Sequence, residues 1–329
     1  MATSSGTGSA CHDGVTAPGV AWLAVTASEP VRSTVVVVTW RGREHVGACL
    51  DALAAQDRPH RTLVVDNASD DGTAEVLAAH PSRPEVLRLP RNLGYAGGVA
   101  AALPRVRTPL VAWLNDDAAP DPGWLSALEA ALDADGVAAA SAALRAPDGR
   151  LQSLGVRLTP DGHGADTTAS EAFGFCGGAA LLRLADLRAI GGVPAAFFCY
   201  YEDTDTSWRL RLADRRVVQV PEAGARHLHG ASANPGSRLF HRWNERNRLL
   251  MLLRCAPAAV AVREIARFAA ITAALPFRRR VPAANFRVGL RLRVLAEIAL
   301  RLPSTLNERR AIGRRSTVSR AQVWQDWAG

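Results

Sequence analysis

Three clusters of acidic side chains are the residues of this sequence best suited to chemistry. They lie at residues 66–71, at Asp116 and Asp117, and at residues 202–205. Each cluster follows an apolar run typical of a strand, and the carboxyl ends of parallel strands meet in one crevice. Carboxylates brought together repel one another unless a cation lies among them. The sequence therefore predicts a shared site with a divalent metal ion, although any one cluster alone is more often a helix cap or a solvated turn.

A glycine-rich stretch at residues 92–98 precedes a predicted helix, so its backbone amides could face an anion. Its spacing is not G-x-G-x-x-G, and on its own it is a weak signal. A Walker A loop is excluded because the chain contains no lysine, and no G-x-S-x-G elbow is present.

Alternating strands and helices must position these clusters. Residues 35–38 form a β-branched apolar run, the pattern of a strand buried on both faces. Further strands are predicted at residues 63–65, 86–89, 110–114 and 217–220, and helices at 44–55, 71–79, 98–103 and from 122. The pattern loosens after residues 137–144, and order returns at residues 176–184, a Gly-Gly pair followed by an apolar run. Residues 197–201 are interpreted as a strand-like aromatic run, and residues 161–170 and His227 as loops. This alternation predicts an α/β fold with a mostly parallel sheet flanked by helices.

The charge of the chain is unevenly distributed. The 329 residues carry a formal charge of +8, with a pI near 10.2. Residues 238–320 hold 19 Arg and four Glu, whereas residues 1–237 hold 20 Arg and 26 acidic residues. A nucleic-acid-binding protein would carry such charge on a recognisable reader fold, which we do not find. The basic, amphipathic helices predicted from residue 238 onward favour an anionic membrane surface or a lipid diphosphate acceptor over DNA.

The predicted organisation has three parts. Residues 1–31 read as a flexible lead-in, residues 32–237 as a catalytic domain with halves at 32–135 and 136–237, and residues 238–329 as a basic helical region. Five widely spaced cysteines form no C-x-x-C pair, which favours a reducing compartment. We predict no signal peptide and no transmembrane helix, and hence a cytoplasmic protein with a peripheral contact on the inner face of the cell membrane.

Seven segments, taken in order, resemble glycosyltransferase family 2, most of all its bacterial rhamnosyltransferase-type members. The segments are VVVVTWRGR from Val35, VVDNASDDGT from Val64, NLGYAGG from Asn92, WLNDD from Trp113, FFCYYEDTDTSWRLR from Phe197, HLHGAS from His227 and RWNERNRLL from Arg242. This resemblance implies a GT-A fold and an inverting enzyme that uses a nucleotide sugar.

The resemblance also implies roles for individual residues near the nucleotide. Those matching nucleotide-sugar contacts are Thr39, Trp40, Arg41, Asp66, Asn67, Asp71, Gly94, Asn115, Asp116 and Arg246. Among them, Asp66 matches the acid that hydrogen-bonds a pyrimidine base. Asn115 takes the place of the first Asp of the family's D-x-D element, a departure that puts the role of that position in doubt.

Metal and catalytic roles follow from the same resemblance. Asp117 matches the usual ligand of Mg2+ or Mn2+, and His227 fits a further metal ligand better than His229 does. Glu202 and Asp203 match the family's ED pair, in which Asp203 is the general base. Two further residues lie on that helix: Asp205, which either supports the helix or acts directly, and Trp208, which we expect in the core. Arg246 or Asn247 is expected to help close the site.

The implied reaction is inverting transfer of a sugar from a dTDP- or UDP-linked donor to a glycan or lipid-linked acceptor. Rhamnose is the first candidate, and galactofuranose and mannose are alternatives. An inactive sugar-nucleotide-binding relative is the main competing hypothesis, because Asn115 departs from D-x-D. A sugar nucleotidyltransferase would need an early glycine-rich signature with an essential lysine, which is absent.

Overall fold

The computed structural model describes residues 30–228, 236–277 and 283–328, so most of the predicted lead-in and His229 lie outside the described residues. The strands are β1 (Ser33–Thr39), β2 (His60–Asp66), β3 (Glu85–Arg88), β4 (Leu110–Asn115), β5 (Ala118–Pro120), β6 (Val137–Arg145), β7 (Leu151–Ser153), β8 (Gly155–Leu158), β9 (Gly164–Thr167), β10 (Ala179–Arg183) and β11 (Arg216–His227). The helices are α1 (Val46–Ala54), α2 (Thr73–Ala79), α3 (Gly94–Ala102), α4 (Trp124–Leu132), α5 (Leu184–Ala189), α6 (Glu202–Leu212), α7 (Arg238–Cys255), α8 (Ala258–Ala274), α9 (Val288–Arg315) and α10 (Arg320–Trp327).

One large sheet organises the chain from Val31 onward. Its strand order is β3-β2-β1-β4-β10-β6-β11-β5, with β7 paired to β6, and β8 and β9 form a separate hairpin. Strands β1 to β4 are mutually parallel, β10 runs antiparallel between β4 and β6, and β11 returns parallel to β6. The α/β fold with a mostly parallel sheet is therefore confirmed.

Strand β1 shows why an uninterrupted apolar run was needed. Val35 and Val37 pack into a core beneath α1 and α4, whereas Val36 and Val38 pack into a second core shared with α3 and α5. Both faces of the strand are buried, so alternation with polar residues would place polar groups in a core. A third core joins α6 to α7, α8, α9 and α10, while the predicted boundary at residue 238 stays a prediction.

Four local predictions are corrected by the structure. The helix predicted at 98–103 begins earlier, at Gly94, and part of the predicted loop at 161–170 forms strand β9. The predicted strand at 217–220 is the start of the longer β11, so His227 ends a strand rather than lying in a loop. Residues 198–201 form no strand, because Phe198, Tyr200 and Tyr201 have positive φ angles.

Side chains on α6 tie the sheet domain to the later helices. Trp208 is fully buried against Phe173 and Trp324, which confirms its place in the core. Asp205 is also fully buried, and its two carboxylate oxygens accept hydrogen bonds from Arg209 at 2.6 Å and Arg254 at 2.7 Å. Burial alone would raise the pKa of Asp205, but the charges of the two arginines outweigh it and lower the pKa. Asp205 therefore supports the fold as the centre of a buried ion-pair cluster.

We expect Asp205→Asn to destabilise the protein by about 3–5 kcal/mol, because it leaves two buried guanidinium groups without their carboxylate. Urea unfolding should show a lower midpoint with an unchanged slope. Asp133→Asn is the matched control, since the Arg32–Asp133 pair is exposed and should contribute at most about 1 kcal/mol. Equal midpoints for the two variants would contradict this assignment.

Candidate active site

The predicted residues meet at one end of the sheet. Thr39 ends β1, Asp66 ends β2, Asn115 ends β4 and His227 ends β11. The register pairs Thr39 with Asp66 and Val38 with Asn115, so the first three ends lie side by side. The acidic clusters after β2 and β4 therefore share one edge, as parallel strands require.

Asp117 and His227 form a close pair at this edge. His227 Nε2 lies 3.2 Å from Asp117 Oδ1 and 3.1 Å from Asn115 Nδ2, while Gln152 Oε1 lies 3.1 Å from His227 Nδ1. Burial raises the pKa of Asp117, but the hydrogen bond and charge of His227, together with the charge of His45, outweigh it and lower the pKa. The close approach of His227 Nε2 to the Asp117 carboxylate is favourable when Nε2 carries a proton or when a cation lies between the two atoms.

A second polar cluster surrounds Asp116. Its Oδ2 and the Thr39 hydroxyl are buried without a hydrogen-bond partner, and His45 Nε2 lies 3.3 Å from that Oδ2. The hydrogen bond and charge of Asp116 raise the pKa of His45 against the opposing effect of burial. A Cβ atom on Gly42 would collide with both Thr39 Oγ1 and Asp116 Oδ2, so glycine keeps this space open. Sequence reasoning did not identify His45 or Gly42.

The donor set fits a divalent ion that also takes ligands from a substrate. No group of three or more His, Cys, Asp or Glu side chains suited to a metal occurs within the described ranges. Asp117 and His227 supply two ligand atoms 3.2 Å apart. Two ligands at right angles, each about 2.1 Å from a Mg2+ ion, lie about 3.0 Å apart. Asp117 and His227 could therefore hold such an ion together with ligands from a substrate, and the ion would supply positive charge there.

Glu202 and Asp203 begin α6 on the other side of the site. Asp203 accepts hydrogen bonds from the Gly177 amide at 3.0 Å and from the Thr204 amide and hydroxyl. Burial raises the pKa of Asp203 despite these donors. Burial and then the charge of Asp203 raise the pKa of Glu202 to about 8, and Glu202 Oε2 is buried without a partner. Burial thus raises the proton affinity of both adjacent carboxyl groups.

Two consecutive glycines connect the two sides. The Gly177 amide donates to Asp203, and the Gly178 carbonyl accepts from the backbone amide of Asn115 at 3.0 Å. Neighbouring Cα atoms are about 3.8 Å apart, so the Asp203 carboxylate and the end of β4 flank one short strip of backbone. A Cβ on Gly177 would press on Asp203, and one on Gly178 would press on Leu144 and Asn115. Sequence reasoning noted these glycines but assigned them no role.

The loop before Glu202 is strained, and α7 holds it. Asn247 Nδ2 donates to the carbonyl oxygens of Phe197, Cys199 and Tyr200 at 2.8–3.0 Å. Arg246 donates to the Phe197 carbonyl at 2.6 Å and to Glu297 at 3.3 Å. The guanidinium of Arg246 is therefore engaged with the loop backbone and with Glu297, and its contact with the nucleotide sugar stays a prediction.

The residues predicted to contact the nucleotide lie together, although several are held by protein groups. Asp66 accepts from Arg88, which sequence reasoning missed, and from the Ser69 amide at 2.9 Å. Asn67 bonds Leu93 N and Gly94 O. Asp71 accepts from the Thr73 amide and hydroxyl at the start of α2.

Trp40 and Arg41 are the exposed part of this region. Trp40 is 38% exposed, and Arg41 lies over its ring and pairs with Asp70. Gly94 has a φ of +72°, and a Cβ there would collide with the Phe198 carbonyl. The glycine-rich turn thus touches the strained loop directly.

Comparison with known proteins gives the same picture. Residues 34–191 match the family described as Glycosyl transferase family 2. A galactofuranosyltransferase of Mycolicibacterium smegmatis is 44% identical over 21% of this chain and 23% of its own length. An N-acetylglucosaminyl-diphospho-decaprenol L-rhamnosyltransferase of Mycobacterium tuberculosis is 29% identical over 62% of this chain and 79% of its own. Three uncharacterised mycobacterial glycosyltransferases are matched over 43% of their own length. This chain therefore covers less than half of the length of several of these curated relatives.

Solved structures share the architecture. A mannosyltransferase of Pyrobaculum calidifontis, in complex with GDP-Man and Mn2+, superposes with a TM-score of 0.55 and 20% identity over 88% of this chain and 87% of its own. S. aureus TarS 1–349 in complex with UDP-GlcNAc gives 0.53 and 17% over 90% and 91%. At these identities the likeness concerns the fold, and it confirms the expected GT-A architecture.

Proposed function

We propose that this chain, which carries a glycosyltransferase family 2 domain over residues 34–191, transfers a sugar from a nucleoside-diphosphate donor to an acceptor hydroxyl with inversion. One observation carries the proposal. The Asp117–His227 pair, together with Asn115, lies on one side of the Gly177–Gly178 strip, and the Asp203 carboxylate lies on the other. A site for the leaving diphosphate and a base for the attacking hydroxyl would thus lie on either side of this glycine pair.

Asp117 and His227 would hold the divalent ion, with diphosphate oxygens as further ligands. When bound, the ion supplies positive charge that stabilises the departing diphosphate. Gln152 Oε1, 3.1 Å from His227 Nδ1, would accept the Nδ1 proton, which orients the imidazole and leaves Nε2 available to the ion, with the Asn115 amide beside it. The buried oxygens of Thr39 and Asp116 lack a hydrogen-bond donor within the protein, and polar groups of the donor substrate would satisfy them after a small local shift.

Asp203 would accept the proton of the acceptor hydroxyl as that oxygen attacks the anomeric carbon. Its three donors, from Gly177 and Thr204, hold the carboxylate in one orientation. Glu202, with a pKa raised to about 8, is neutral at pH 7 and so does not repel an approaching diphosphate sugar. Inversion by a single displacement follows, because no second carboxylate nucleophile is assigned.

The donor and acceptor are proposed from the same resemblance. We propose a dTDP- or UDP-linked sugar, with rhamnose first and galactofuranose or mannose as alternatives, and a glycan or lipid-linked acceptor. The similarity to a rhamnosyltransferase named for a diphospho-decaprenol acceptor supports both choices. A lipid-linked acceptor would place the enzyme at the cytoplasmic face of a membrane. None of the helices in the described residues combines the length and apolar character needed to cross a bilayer.

Ligand-dependent thermal stabilisation tests the proposal. A panel of nucleotide sugars with Mn2+ or Mg2+ should contain a pyrimidine-linked member that raises the Tm, since a ligand at about 100 times its Kd adds about 2.7 kcal/mol. That member should then yield inverted product with a glycan acceptor, detected by mass spectrometry and NMR. Binding without transfer or hydrolysis would support the inactive-relative hypothesis. Absence of any stabilising pyrimidine nucleotide sugar would reject the donor assignment.

We expect Asn247→Leu to lower kcat by about 10²-fold with little change in donor KM, because it releases three carbonyls of the strained loop and misplaces the base. Steady-state kinetics measure both parameters. Asn307→Leu, on the exposed face of α9, is the matched control and should retain activity. A change confined to donor KM would show that Asn247 acts on the donor instead.

A further inference from the structure

Helices α8 and α9 turn apolar faces to solvent. On α8 and the turn that continues it, the exposed stripe is Ala259, Val262, Ala266, Ala270, Ala273 and Phe277. On α9 it is Leu292, Ala296, Ala299, Leu300, Pro303 and Leu306. Residues in each stripe recur at one-, three- or four-residue intervals, the spacing of one helix face. We call these two stripes the outward apolar face.

The exposure of this face is large for a soluble surface. Phe277 is 90% exposed, Leu300 82%, Val262 65% and Leu292 54%. The opposite sides of both helices are already used, since Phe268, Val294 and Ile298 lie in the core shared with α7. Contiguous exposed apolar residues on a folded protein mark a surface that contacts another phase or partner.

The two stripes belong to one rigid pair of helices. Arg291 of α9 donates to Thr272 Oγ1 at 2.9 Å and to the Phe268 carbonyl at 3.1 Å, both on α8. Its guanidinium also lies 3.7 Å from the centre of the Phe268 ring. These buried contacts hold α8 and α9 against each other.

The charges around this face are predominantly positive. Arg263, Arg267 and Arg293 are 57–63% exposed and flank the stripes, and each lies within 4 Å of Glu264 or Glu297, whose side chains are only 3% and 14% exposed. The three acidic residues of α8 and α9 pair with arginines of α7: Glu264 with Arg248, Glu297 with Arg242, and Glu308 with Arg254. An apolar stripe flanked by exposed cations matches an anionic lipid surface, in which acyl chains meet the stripe and headgroups meet the arginines. A second copy would oppose cations to cations.

We infer that the outward apolar face of α8 and α9 docks this protein on an anionic bilayer, with both helices lying in the interfacial plane. This inference goes beyond the proposed transfer reaction and does not depend on it. It assigns membrane contact to particular side chains on two helices, whereas the sequence could assign it only to an arginine-rich region.

Vesicle co-sedimentation of the full chain tests the inference. The protein should bind phosphatidylcholine vesicles containing phosphatidylglycerol at least about 10-fold more tightly than pure phosphatidylcholine vesicles, with the difference shrinking at high salt. Leu292→Glu/Leu300→Glu should reduce binding to the anionic vesicles by about 10-fold or more. Both positions are exposed, so thermal melting should be unchanged.

Val86→Glu on edge strand β3 is the matched control, because Val86 is 40% exposed and lies outside α8 and α9. It should bind like the unaltered protein. Equal loss in the control and the double variant, or equal affinity for both vesicle types, would overturn the inference. The inference would also be overturned if the unaltered protein and the control were dimers in size-exclusion chromatography and the double variant were a monomer, since the face would then bind a second copy. Transfer to a short soluble acceptor should be unaffected, which separates this result from any failure of the proposed function.

Discussion

Asp117→Asn should lower metal-dependent sugar transfer by about 10³-fold while the protein remains folded. The carboxylate that lies 3.2 Å from His227 Nε2 would become a neutral amide of the same shape, which binds a divalent ion far more weakly. Because the pKa of Asp117 is lowered, its carboxylate stays ionised across the neutral range, and the loss should not depend on pH there.

Two measurements locate this effect at the metal. Mn2+ titrations of the initial rate should show a raised requirement for metal, and electron paramagnetic resonance of Mn2+ with a nucleoside diphosphate should show fewer bound ions. Asp121→Asn is the matched control, because this exposed aspartate lies four residues further along the chain. Full activity of Asp117→Asn at the same metal concentration would remove Asp117 from the metal site.

The part of this site that could be predicted from sequence depends on short-range patterns. Strands β1 and β4 are continuous apolar runs buried on both faces, so their positions and parallel pairing follow from local composition. Because parallel strands end at one edge of the sheet, the sequence also predicts that Asp66, Asn115 and Asp117 lie at the same edge. These inferences need only the alternation of strands and helices.

The parts that could not be predicted depend on contacts between distant residues. The aromatic residues at 197–201 favour a strand by propensity, but three of them adopt positive φ angles that Asn247, more than 45 residues away, holds in place. The contact of Gln152 with His227 and that of Arg88 with Asp66 are likewise long-range. No local pattern in the sequence distinguishes these side chains from ordinary surface residues.

The basic helical region, residues 238–329, shows that the positions of charges also depend on contacts between distant residues. Its composition predicts a cationic surface, yet Arg246, Arg248, Arg254 and Arg291 are buried and bond carbonyl, hydroxyl or carboxylate oxygens of the protein. Part of the formal positive charge therefore stabilises the interior. Other arginines of this region face solvent, among them Arg263, Arg267 and Arg293 beside the outward apolar face, and only the structure separates the buried from the exposed ones.

Asp203→Asn should lower kcat by about 10²–10⁴-fold, because the amide cannot accept the proton of the attacking hydroxyl. Donor binding, measured by thermal shift, should persist and show that the variant is folded. Glu202→Gln should cost much less, since glutamine resembles the neutral Glu202 that a pKa of about 8 maintains at pH 7. The opposite ranking of the two variants would make Glu202 the base.

The pH dependence of kcat/KM provides an independent test of the same assignment. A base acts when deprotonated, so activity should be present above the pKa of Asp203 and should fall as the pH drops through it. Because burial raises that pKa above its ordinary value of 3.8, the acidic limb should lie higher than for an exposed aspartate. Glu202→Gln should keep this limb while losing any change near pH 8, since the group that titrates there is gone. An acidic limb that disappears in Glu202→Gln would contradict proton transfer to Asp203.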